Sequence, residues 1–480
     1  MVFSSSTFLF VFLPTFLGLY YASPGRWKNL TALLASLVFY AWGAPKLVFY
    51  LCAACAVDYG ASRFIAANRS RPARAKAVLA ATLAANVALL LYFKYANFFV
   101  HEASRVLGFL GRPPLAWTDL ALPIGISFFT FHRVSYVVDV YRGVTGPANS
   151  YRDYLLYVVL FPQLIAGPII RYHDVAHEIA HRTHTLELFF EGMVRFSVGL
   201  GKKILVANVL GEAADRFFAA PPASLPVLLA WTGILSYSFQ IYFDFSGYSD
   251  MALGLAKMVG IHFRENFDRP YISRSITEFW RRWHISLSSF MRDYLYIPLG
   301  GSRVGRARTT LNLWIVFLIS GFWHGASWNF LLWGAYHGFF LVIDRLFWSE
   351  AVRKIPKAVA VALTFAIVLF GWVLFRAPDL PHALGYASRM LGAGTCEPAP
   401  PGAAGPDVLA SRTLATLAIA AFLSFAPAWE GLDRLRRGWT DRVSGGAAAG
   451  LRFAGVLLLM IVSFSYLATG SFNPFIYFRF

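Results

Sequence analysis

Seven of the ionisable side chains between Asn266 and Gly338 lie among tryptophan, phenylalanine and leucine residues. They are Arg281, Arg282, His284, Arg292, Asp293, His324 and His337. Ionisable groups in lipid-like surroundings are costly, so they predict a functional site. Desolvation keeps an imidazole neutral, and a neutral imidazole can act as a general base. Two segments carry most of this signal: residues 278–288, EFWRRWHISLS, and residues 320–330, SGFWHGASWNF.

The position of His324 follows from the basic loops on either side of it. Residues 303–308 and 345–357 are both basic, so the positive-inside rule places them together on the cytoplasmic side, and the chain between them must enter the membrane and return. The 13 residues of Leu311–Trp323 make about 20 Å of helix, against a hydrocarbon core of about 30 Å. Gly325 then allows a turn. We expect His324 deep in the membrane, as a base or, alternatively, as a core histidine bonded to a carbonyl.

His284 follows a predicted helix start. Ser275 or Thr277 can cap this helix, with Glu278 as the acid of a capping box. One helical face would carry the residues at i, i+4 and i+7, which are Trp280, His284 and Leu287. Arg281 and Arg282 would point elsewhere. The pattern indicates a site role for His284, and an amphipathic helix on the cytoplasmic interface is the alternative.

The elements that must position these histidines are membrane helices. The chain has 480 residues, of which 57% are hydrophobic and 14% charged, and apolar runs recur along its whole length. This composition predicts an all-α polytopic membrane protein with ten to twelve true spans, besides shorter apolar pieces that are re-entrant or interfacial. The first 22 residues hold no Lys or Arg, so we expect a retained membrane segment rather than a cleaved signal peptide.

The net charge of +18 does not predict nucleic-acid binding. The basic residues form short clusters between apolar runs, which is the positive-inside pattern. Two further clusters, at residues 63–76 and 434–442, should also face the cytoplasm, whereas the Pro- and Gly-rich loop of residues 377–410 should lie outside. The clusters thus orient the chain in a membrane, and membrane lipid is its expected surrounding.

Other polar groups in the sequence favour structural roles. Asp244 and Asp250, in FDFSGYSD, lie at a predicted break between apolar runs, where they could bind a cation or pair with arginines, and pairing is favoured. Three histidines follow one another at spacings of four, namely His173, His177 and His181. No carboxylate or cysteine completes an obvious ligand set, so we predict a solvated helix and no metal site. His337 is predicted to be structural.

Long segments of the chain resemble the membrane-bound O-acyltransferase (MBOAT) superfamily, specifically its alginate O-acetyltransferase (AlgI) branch. The matching segments include LPIGISFFTF from Leu122, FPQLIAGPIIR from Phe161 and YFDFSGYSDMALGL from Tyr242. The most specific is NFDRPYISRSITEFWRRWHISLSSFMRDYLYIPLGG from Asn266, which FWHGASWNF follows. The resemblance implies one integral-membrane domain over residues 1–480 with a catalytic core near residues 120–345. It also implies a ring of tilted helices around a thin central tunnel.

The resemblance implies the site residues as well. The histidine of the apolar motif, which is the catalytic one in the family, corresponds to His324, and a second motif histidine corresponds to His284. His324 would take the proton of an acceptor hydroxyl as it attacks an acetyl thioester, while His284 binds or orients a substrate. The tunnel for donor or acceptor would involve the neighbouring side chains Trp280, Arg281, Arg282 and Trp323.

The function expected from this resemblance is acetyl transfer across the bacterial inner membrane, for O-acetylation of an extracytoplasmic polysaccharide. No cofactor is expected to stay bound. Arginines near His284 suit a polyanionic donor such as acetyl-CoA, and another acetyl thioester is possible. Extracytoplasmic relay proteins are the expected partners. The alternatives are another polymer (cellulose or peptidoglycan), another acyl group such as D-alanyl, or a transporter or membrane scaffold for a periplasmic acetylation complex.

Overall fold

The computed structural model describes residues 1–394, 396–397, 410–426, 446–470 and 472–474, and leaves the side chains of residues 446–449 undescribed. Within these ranges the chain is helical and contains no β-strand. This confirms the predicted all-α class. The cluster of residues 434–442 and most of the 398–410 part of the predicted outer loop lie outside the described residues.

The helices are short and numerous. The α-helices are Leu13–Ala22, Lys28–Ala41, Leu47–Ala67, Pro72–Leu90, Ala96–Phe109, Ile126–Arg142, Tyr151–Val159, Phe161–Leu164, Tyr172–Ala180, Leu186–Gly201, Asn208–Ala219, Val227–Met258, Ile276–Arg282, Ile285–Met291, Arg306–His324, Trp328–Ile343, Ser349–Ala351, Lys357–Arg376, Leu380–Met390, Ser411–Phe425 and Gly446–Thr469. Wider helical turns extend several of them, at Phe8–Phe12, Leu91–Tyr95, Lys202–Ala207, Arg292–Tyr296 and Asp344–Trp348. Single tight turns occur at Gly25–Trp27, Pro222–Ser224 and Pro270–Ile272.

Five described helices are long and apolar enough to cross a membrane: Leu47–Ala67, Pro72–Phe109, Trp328–Ala351, Lys357–Arg376 and Gly450–Thr469. Two shorter apolar helices, Phe8–Ala22 and Ser411–Phe425, join them. The chain is therefore a multi-pass membrane protein, and the spans found among its described residues are fewer than the ten to twelve expected. Part of the difference arises because apolar runs such as Lys28–Ala41 fold into helices too short to cross the hydrocarbon core in a straight line.

The described chain forms two compact units. The first contains residues 1–193 and 252–264, and the second contains residues 194–251 and 265–480. In the first unit, a buried ion pair joins Arg133 to Asp58 at 2.5 Å, and Asn86 donates a hydrogen bond to the same carboxylate. In the second unit, an aromatic core surrounds the segment that holds the predicted site.

The segment with Asp244 and Asp250 is not a break. Both acids lie inside the uninterrupted helix Val227–Met258, which replaces the two separate segments predicted there. Asp244 pairs with Lys203 at 3.0 Å, and Asp250 pairs with Arg195 and Lys202, each at 2.6 Å. The acids thus pair with basic side chains, as favoured from the sequence, although two of the three partners are lysines. Because these pairs neutralise the carboxylates, the helix continues without unwinding.

Candidate active site

The start of the His284 segment agrees with the sequence pattern. Ser275 is the N-cap of helix Ile276–Arg282, and its hydroxyl accepts a hydrogen bond from the backbone N–H of Glu278. The Glu278 carboxylate accepts from the backbone N–H of Arg274, at 2.9 Å. The Ser275 bond satisfies a donor that a helix leaves unpaired at its first turn. The predicted capping box is not formed, because Glu278 bonds to Arg274, which precedes the N-cap, instead of to the N-cap residue Ser275.

The prediction of one face shared by Trp280, His284 and Leu287 is wrong. The helix ends at Arg282, and a second short helix begins at Ile285. Between them His284 adopts a left-handed conformation, with φ 45° and ψ 55°. This conformation is uncommon for residues other than glycine. It turns the chain and directs the imidazole into the aromatic core instead of along a helical stripe.

Asn266 holds this turn and fixes the tautomer of His284. The backbone carbonyl of Asn266 accepts a hydrogen bond from the N–H of Ile285 at 2.9 Å. Its side-chain oxygen accepts from the backbone N–H of Ser286 at 3.1 Å and lies 3.1 Å from Nδ1 of His284. Since that oxygen is an acceptor, Nδ1 must carry the proton. Nε2 of neutral His284 therefore presents its lone pair.

The Nε2 atom of His284 is buried. The residue is 1% exposed, and no hydrogen bond reaches Nε2 within the described part of the chain. Burial lowers the pKa of His284 from 6.5 to about 3, so the ring is neutral at physiological pH. A buried acceptor left unpaired costs about 1–3 kcal/mol. The geometry leaves this nitrogen available to a bound hydroxyl or water.

His324 lies where the sequence predicts a helix end. It is the last residue of helix Arg306–His324, and Gly325 follows in an extended conformation before the next helix begins at Trp328. The two helices pack closely because Gly321 and Gly334 face each other. A Cβ at Gly321 would lie 2.3 Å from the carbonyl oxygen of Phe330, and one at Gly334 would lie 2.3 Å from that of Phe317. His324 itself is 9% exposed.

Tryptophan rings connect the two histidines. The ring of Trp323 lies 4.8 Å from that of His324 and 6.5 Å from that of His284, between ring centres. Trp333 and Phe375 contact His324 edge to face, at 5.1 and 5.3 Å. Both predicted histidines therefore belong to one aromatic cluster within the second unit.

His337 also belongs to this cluster, which the sequence did not predict. Its ring lies 5.0 Å from Trp333 and 5.1 Å from Trp280. It is fully buried, and neither ring nitrogen has a hydrogen-bond partner within the described residues. Gly371 packs directly against the His337 ring, since a Cβ at Gly371 would lie 2.6 Å from Nε2 of His337. The tight fit agrees with the predicted structural role of His337.

The four side chains predicted to line a tunnel have different surroundings. Trp280 and Trp323 are buried in the cluster. Arg282 is half-buried and already paired, since it lies 2.9 Å from the Glu278 carboxylate and donates to the backbone carbonyl of Asp268. Arg281 is exposed. Of the two arginines, Arg281 is the one whose guanidinium is open to an anionic substrate.

The predicted histidine stripe at residues 173–181 is only partly kept in the structure, where the rings of His177 and His181 lie 5.5 Å apart. His173 lies 2.9 Å from the Asp139 carboxylate and His181 follows the end of helix Tyr172–Ala180, while His177 is exposed. Within the described ranges, no three His, Cys, Asp or Glu side chains form a group suited to a metal ion. Asn266 and Trp333 are the site residues that sequence reasoning missed, although Asn266 opens the most specific motif.

Comparison with known proteins finds a family profile and several similar chains. The profile of the membrane-bound O-acyltransferase (MBOAT) family matches residues 144–377, which include all three clustered histidines. The chain is 42% identical over its full length to the full length of the probable alginate O-acetylase AlgI of Azotobacter vinelandii. It is 45% identical to the protein of that name in Pseudomonas aeruginosa, over 82% of this chain and 76% of the relative. It is 37% identical to the peptidoglycan O-acetyltransferase of Helicobacter pylori, over 82% and 80%.

Proposed function

The chain belongs to the membrane-bound O-acyltransferase family, and from this we propose that it moves acetyl groups across a membrane for O-acetylation of an alginate-like exopolysaccharide. It is an O-acyltransferase embedded in the membrane by its apolar helices. The full-length similarity to alginate O-acetylases carries the proposal, because it includes both histidine segments and the motif between them.

His324 is the proposed general base. It would take the proton of the acceptor hydroxyl, whose oxygen then forms a bond to the carbonyl carbon of the acetyl thioester. The tetrahedral intermediate collapses by breaking the C–S bond, and the thiolate leaves with the proton that His324 received. General-base help of this kind contributes about 10² to 10⁴ in rate. The position of His324 at a helix end, next to Trp323 and Trp333, supports this role.

His284 is the proposed residue that orients a substrate. Its Nε2 lone pair is buried and its tautomer is held by Asn266, so it accepts a hydrogen bond from the bound hydroxyl or from a water beside it. Trp323 contacts both histidines and would line the same tunnel, together with Trp280.

Acetyl-CoA is the proposed donor. Its phosphates would pair with exposed Arg281 on the cytoplasmic side, because guanidinium groups bind phosphate well. The donor is tested in membrane vesicles that contain the protein, by supplying acetyl-CoA or another acetyl carrier after CoA is depleted. Transfer that depends on added acetyl-CoA supports the assignment, and undiminished transfer from the other carrier removes it.

Extracytoplasmic proteins that receive the acetyl group are the proposed partners, and the bacterial inner membrane is the proposed location. The partner proposal rests on the sequence, in which no segment between apolar runs is long enough for a soluble domain that holds a polymer. The location rests on the basic loops, which fit the positive-inside pattern.

The decisive test compares His324→Ala with His177→Ala. Acetyl groups on the secreted polymer are measured by mass analysis, and the protein in the membrane fraction is measured by immunoblotting. We expect loss of acetylation for His324→Ala at unchanged protein level, and wild-type acetylation for His177→Ala, since His177 is exposed. Wild-type acetylation in the His324→Ala strain would contradict the enzyme mechanism and favour a scaffold or transporter.

The 37% identity to a peptidoglycan O-acetyltransferase supports a second polymer acceptor. Mass analysis of exopolysaccharide and peptidoglycan from strains with and without the protein separates the two. The same spectra identify the group transferred, because D-alanyl and acetyl esters differ in mass.

A further inference from the structure

A second cluster of basic groups surrounds the hydroxyl of Tyr20 in the first unit. Arg182 donates a hydrogen bond to this hydroxyl at 2.9 Å, and Nε2 of His184 lies 2.9 Å from it. The ammonium group of Lys28 lies over the same ring, 4.5 Å from its centre, and 5.0 Å from the ring centre of Tyr21. Three basic side chains from two distant parts of the sequence thus share one tyrosine.

Hydrogen bonding fixes the proton on His184. Tyr20 donates its only proton to the backbone carbonyl of Val259, at 3.1 Å. The hydroxyl oxygen can then only accept, so Arg182 and Nε2 of His184 must both donate to it. Nδ1 is consequently the atom of His184 that takes up a proton when an anion binds nearby.

Among the residues that the structure describes, no carboxylate neutralises this cluster. Lys28 donates to the backbone carbonyl of Tyr20, and Nε of Arg182 donates to that of Glu178. The Glu178 carboxylate is occupied by His262, at 2.6 Å. Within the described residues, none of Lys28, Arg182 and His184 forms an ion pair with an acid, and one terminal nitrogen of Arg182 is buried without a partner.

The charges repel one another in the free protein. Burial, followed by the nearby Arg182 charge, lowers the pKa of Lys28. Burial also lowers the pKa of His184, and the charges of Lys28 and Arg182 lower it further. A site that gathers like charges and supplies no acid is stabilised by an anion from outside the chain. Guanidinium, ammonium and imidazolium groups together suit the several oxygens of a phosphate.

The cluster faces the cytoplasm by the charge rule. Helix Leu47–Ala67 ends at the basic loop of residues 69–76, which the positive-inside rule places inside. Arg69 of this loop donates to the backbone carbonyl of Val140 at 3.5 Å. The neighbouring Asp139 lies 2.9 Å from His173, in the helix Tyr172–Ala180 that leads to Arg182, so the cluster is assigned to the same face. Phosphate-bearing groups available there are the nucleotide part of CoA and the headgroups of anionic lipids.

We propose that Lys28, Arg182 and His184 form a binding site for a phosphate group, supplied either by the CoA donor or by a membrane lipid. The CoA source rests on the proposed function, and the lipid source does not. In both cases Lys28 and Arg182 pair with phosphate oxygens, and His184 donates from Nδ1 once it is protonated.

Binding is measured on the purified full-length protein in nanodiscs. The CoA arm compares CoA with dephospho-CoA, which lacks the 3′-phosphate, by calorimetry. The lipid arm uses native mass spectrometry to count phosphatidylglycerol retained from nanodiscs that mix it with phosphatidylcholine. The variants are Lys28→Gln and Arg182→Gln, with charge-conserving Lys28→Arg as a check on folding. Arg74→Gln is the matched control, because it removes one exposed cytoplasmic charge.

We expect Lys28→Gln and Arg182→Gln each to lower the affinity for one of the two ligands about tenfold, the change that 1.4 kcal/mol produces. Lys28→Arg and Arg74→Gln should bind as the wild type does. Weaker CoA binding identifies CoA as the source of the phosphate group, and weaker phosphatidylglycerol retention identifies a membrane lipid as its source. If neither ligand responds, or if Arg74→Gln loses as much, the site is refuted. These measurements detect binding and not acetyl transfer. A negative result for acetyl-CoA as donor can therefore be told apart from a negative result for the phosphate site.

Discussion

Asn266 determines which nitrogen of His284 carries the proton. Its side-chain oxygen accepts from the backbone N–H of Ser286, so it cannot be exchanged with the amide nitrogen, and it faces Nδ1 at 3.1 Å. The amide nitrogen points away, to the hydroxyl of Ser249 at 3.2 Å. The chemistry available at His284 is therefore set by a residue 18 positions earlier in the chain.

Replacement of Asn266 should affect catalysis beyond its effect on folding. In Asn266→Leu, the imidazole loses its acceptor and both tautomers become accessible, so acetyl transfer should fall about tenfold or more. In Asn266→Asp, the carboxylate also fixes Nδ1–H, but it raises the pKa of His284 and should shift the acid limb of the pH–rate profile upward. Initial rates against pH in membrane vesicles provide the measurement. Equal profiles for Asn266→Asp and wild type would contradict the proposed contact.

The left-handed backbone of His284 predicts a difference in stability between two variants that both lose activity. A left-handed conformation costs a residue with a Cβ roughly 1–2 kcal/mol, and glycine avoids this cost. We expect His284→Gly to be more stable than His284→Ala by about 1 kcal/mol, with strongly reduced activity in both. Thermal unfolding of the two purified variants tests the left-handed conformation at position 284. A more stable alanine variant would refute that conformation.

Part of this site could be predicted from the sequence because the signals were local. Ser275 followed by Glu278 predicts a helix start, and an apolar run that ends in His324–Gly325 predicts a helix end. Both features depend on residues within one turn of each other. The family motif likewise points to both histidines.

The remaining features depend on contacts that periodicity does not report. A non-glycine residue at φ 45° interrupts the helical pattern without changing the composition, so Trp280 and His284 were wrongly assigned to one face. The meeting of His324 and His337 with Trp333 requires two helices to approach at Gly321. That approach involves tertiary packing between helices, which the residue pattern of either helix alone does not contain.

Stability should depend on pH through His284. In the unfolded chain the imidazole takes up a proton near pH 6.5, whereas in the folded chain burial delays this until about pH 3. Between these two pH values the unfolded state binds more protons than the folded state. The contribution of His284 to the free energy of unfolding is therefore complete above pH 6.5 and declines by about 1.4 kcal/mol per pH unit as the pH falls towards 3. The slope between pH 6 and 4 should be shallower in His284→Asn, which tolerates the left-handed backbone. Identical slopes in urea unfolding would contradict burial of the ring.

The approach of the two helices at His324 can be tested with one methyl group. Gly321→Ala and Gly334→Ala each place a Cβ 2.3 Å from a backbone oxygen, and overpacking against backbone costs about 1–3 kcal/mol. Gly338→Ala, one turn further on the same helix, makes only ordinary contacts at 3.4 Å. We expect lower unfolding temperatures and lower acetylation for the first two variants and nearly wild-type values for the third. Equal behaviour of all three would show that the helices are farther apart.

The buried ion pair of Lys203 and Asp244 should contribute more to the stability of the protein than surface ion pairs do. Its side chains are 3% and 1% exposed, and the other contact of Lys203 is the neutral carbonyl of Pro474. Asp244→Asn leaves a buried cation without its counter-ion, which costs about 3–5 kcal/mol. Glu212→Gln breaks the pair with Arg216, whose side chains are 42% and 54% exposed, and should cost less than about 1 kcal/mol. Protein abundance in the membrane and unfolding temperature in detergent distinguish the two. A double variant, Lys203→Met with Asp244→Leu, should recover most of the loss because it removes both charges, and failure of that rescue would assign the pair a role beyond charge balance.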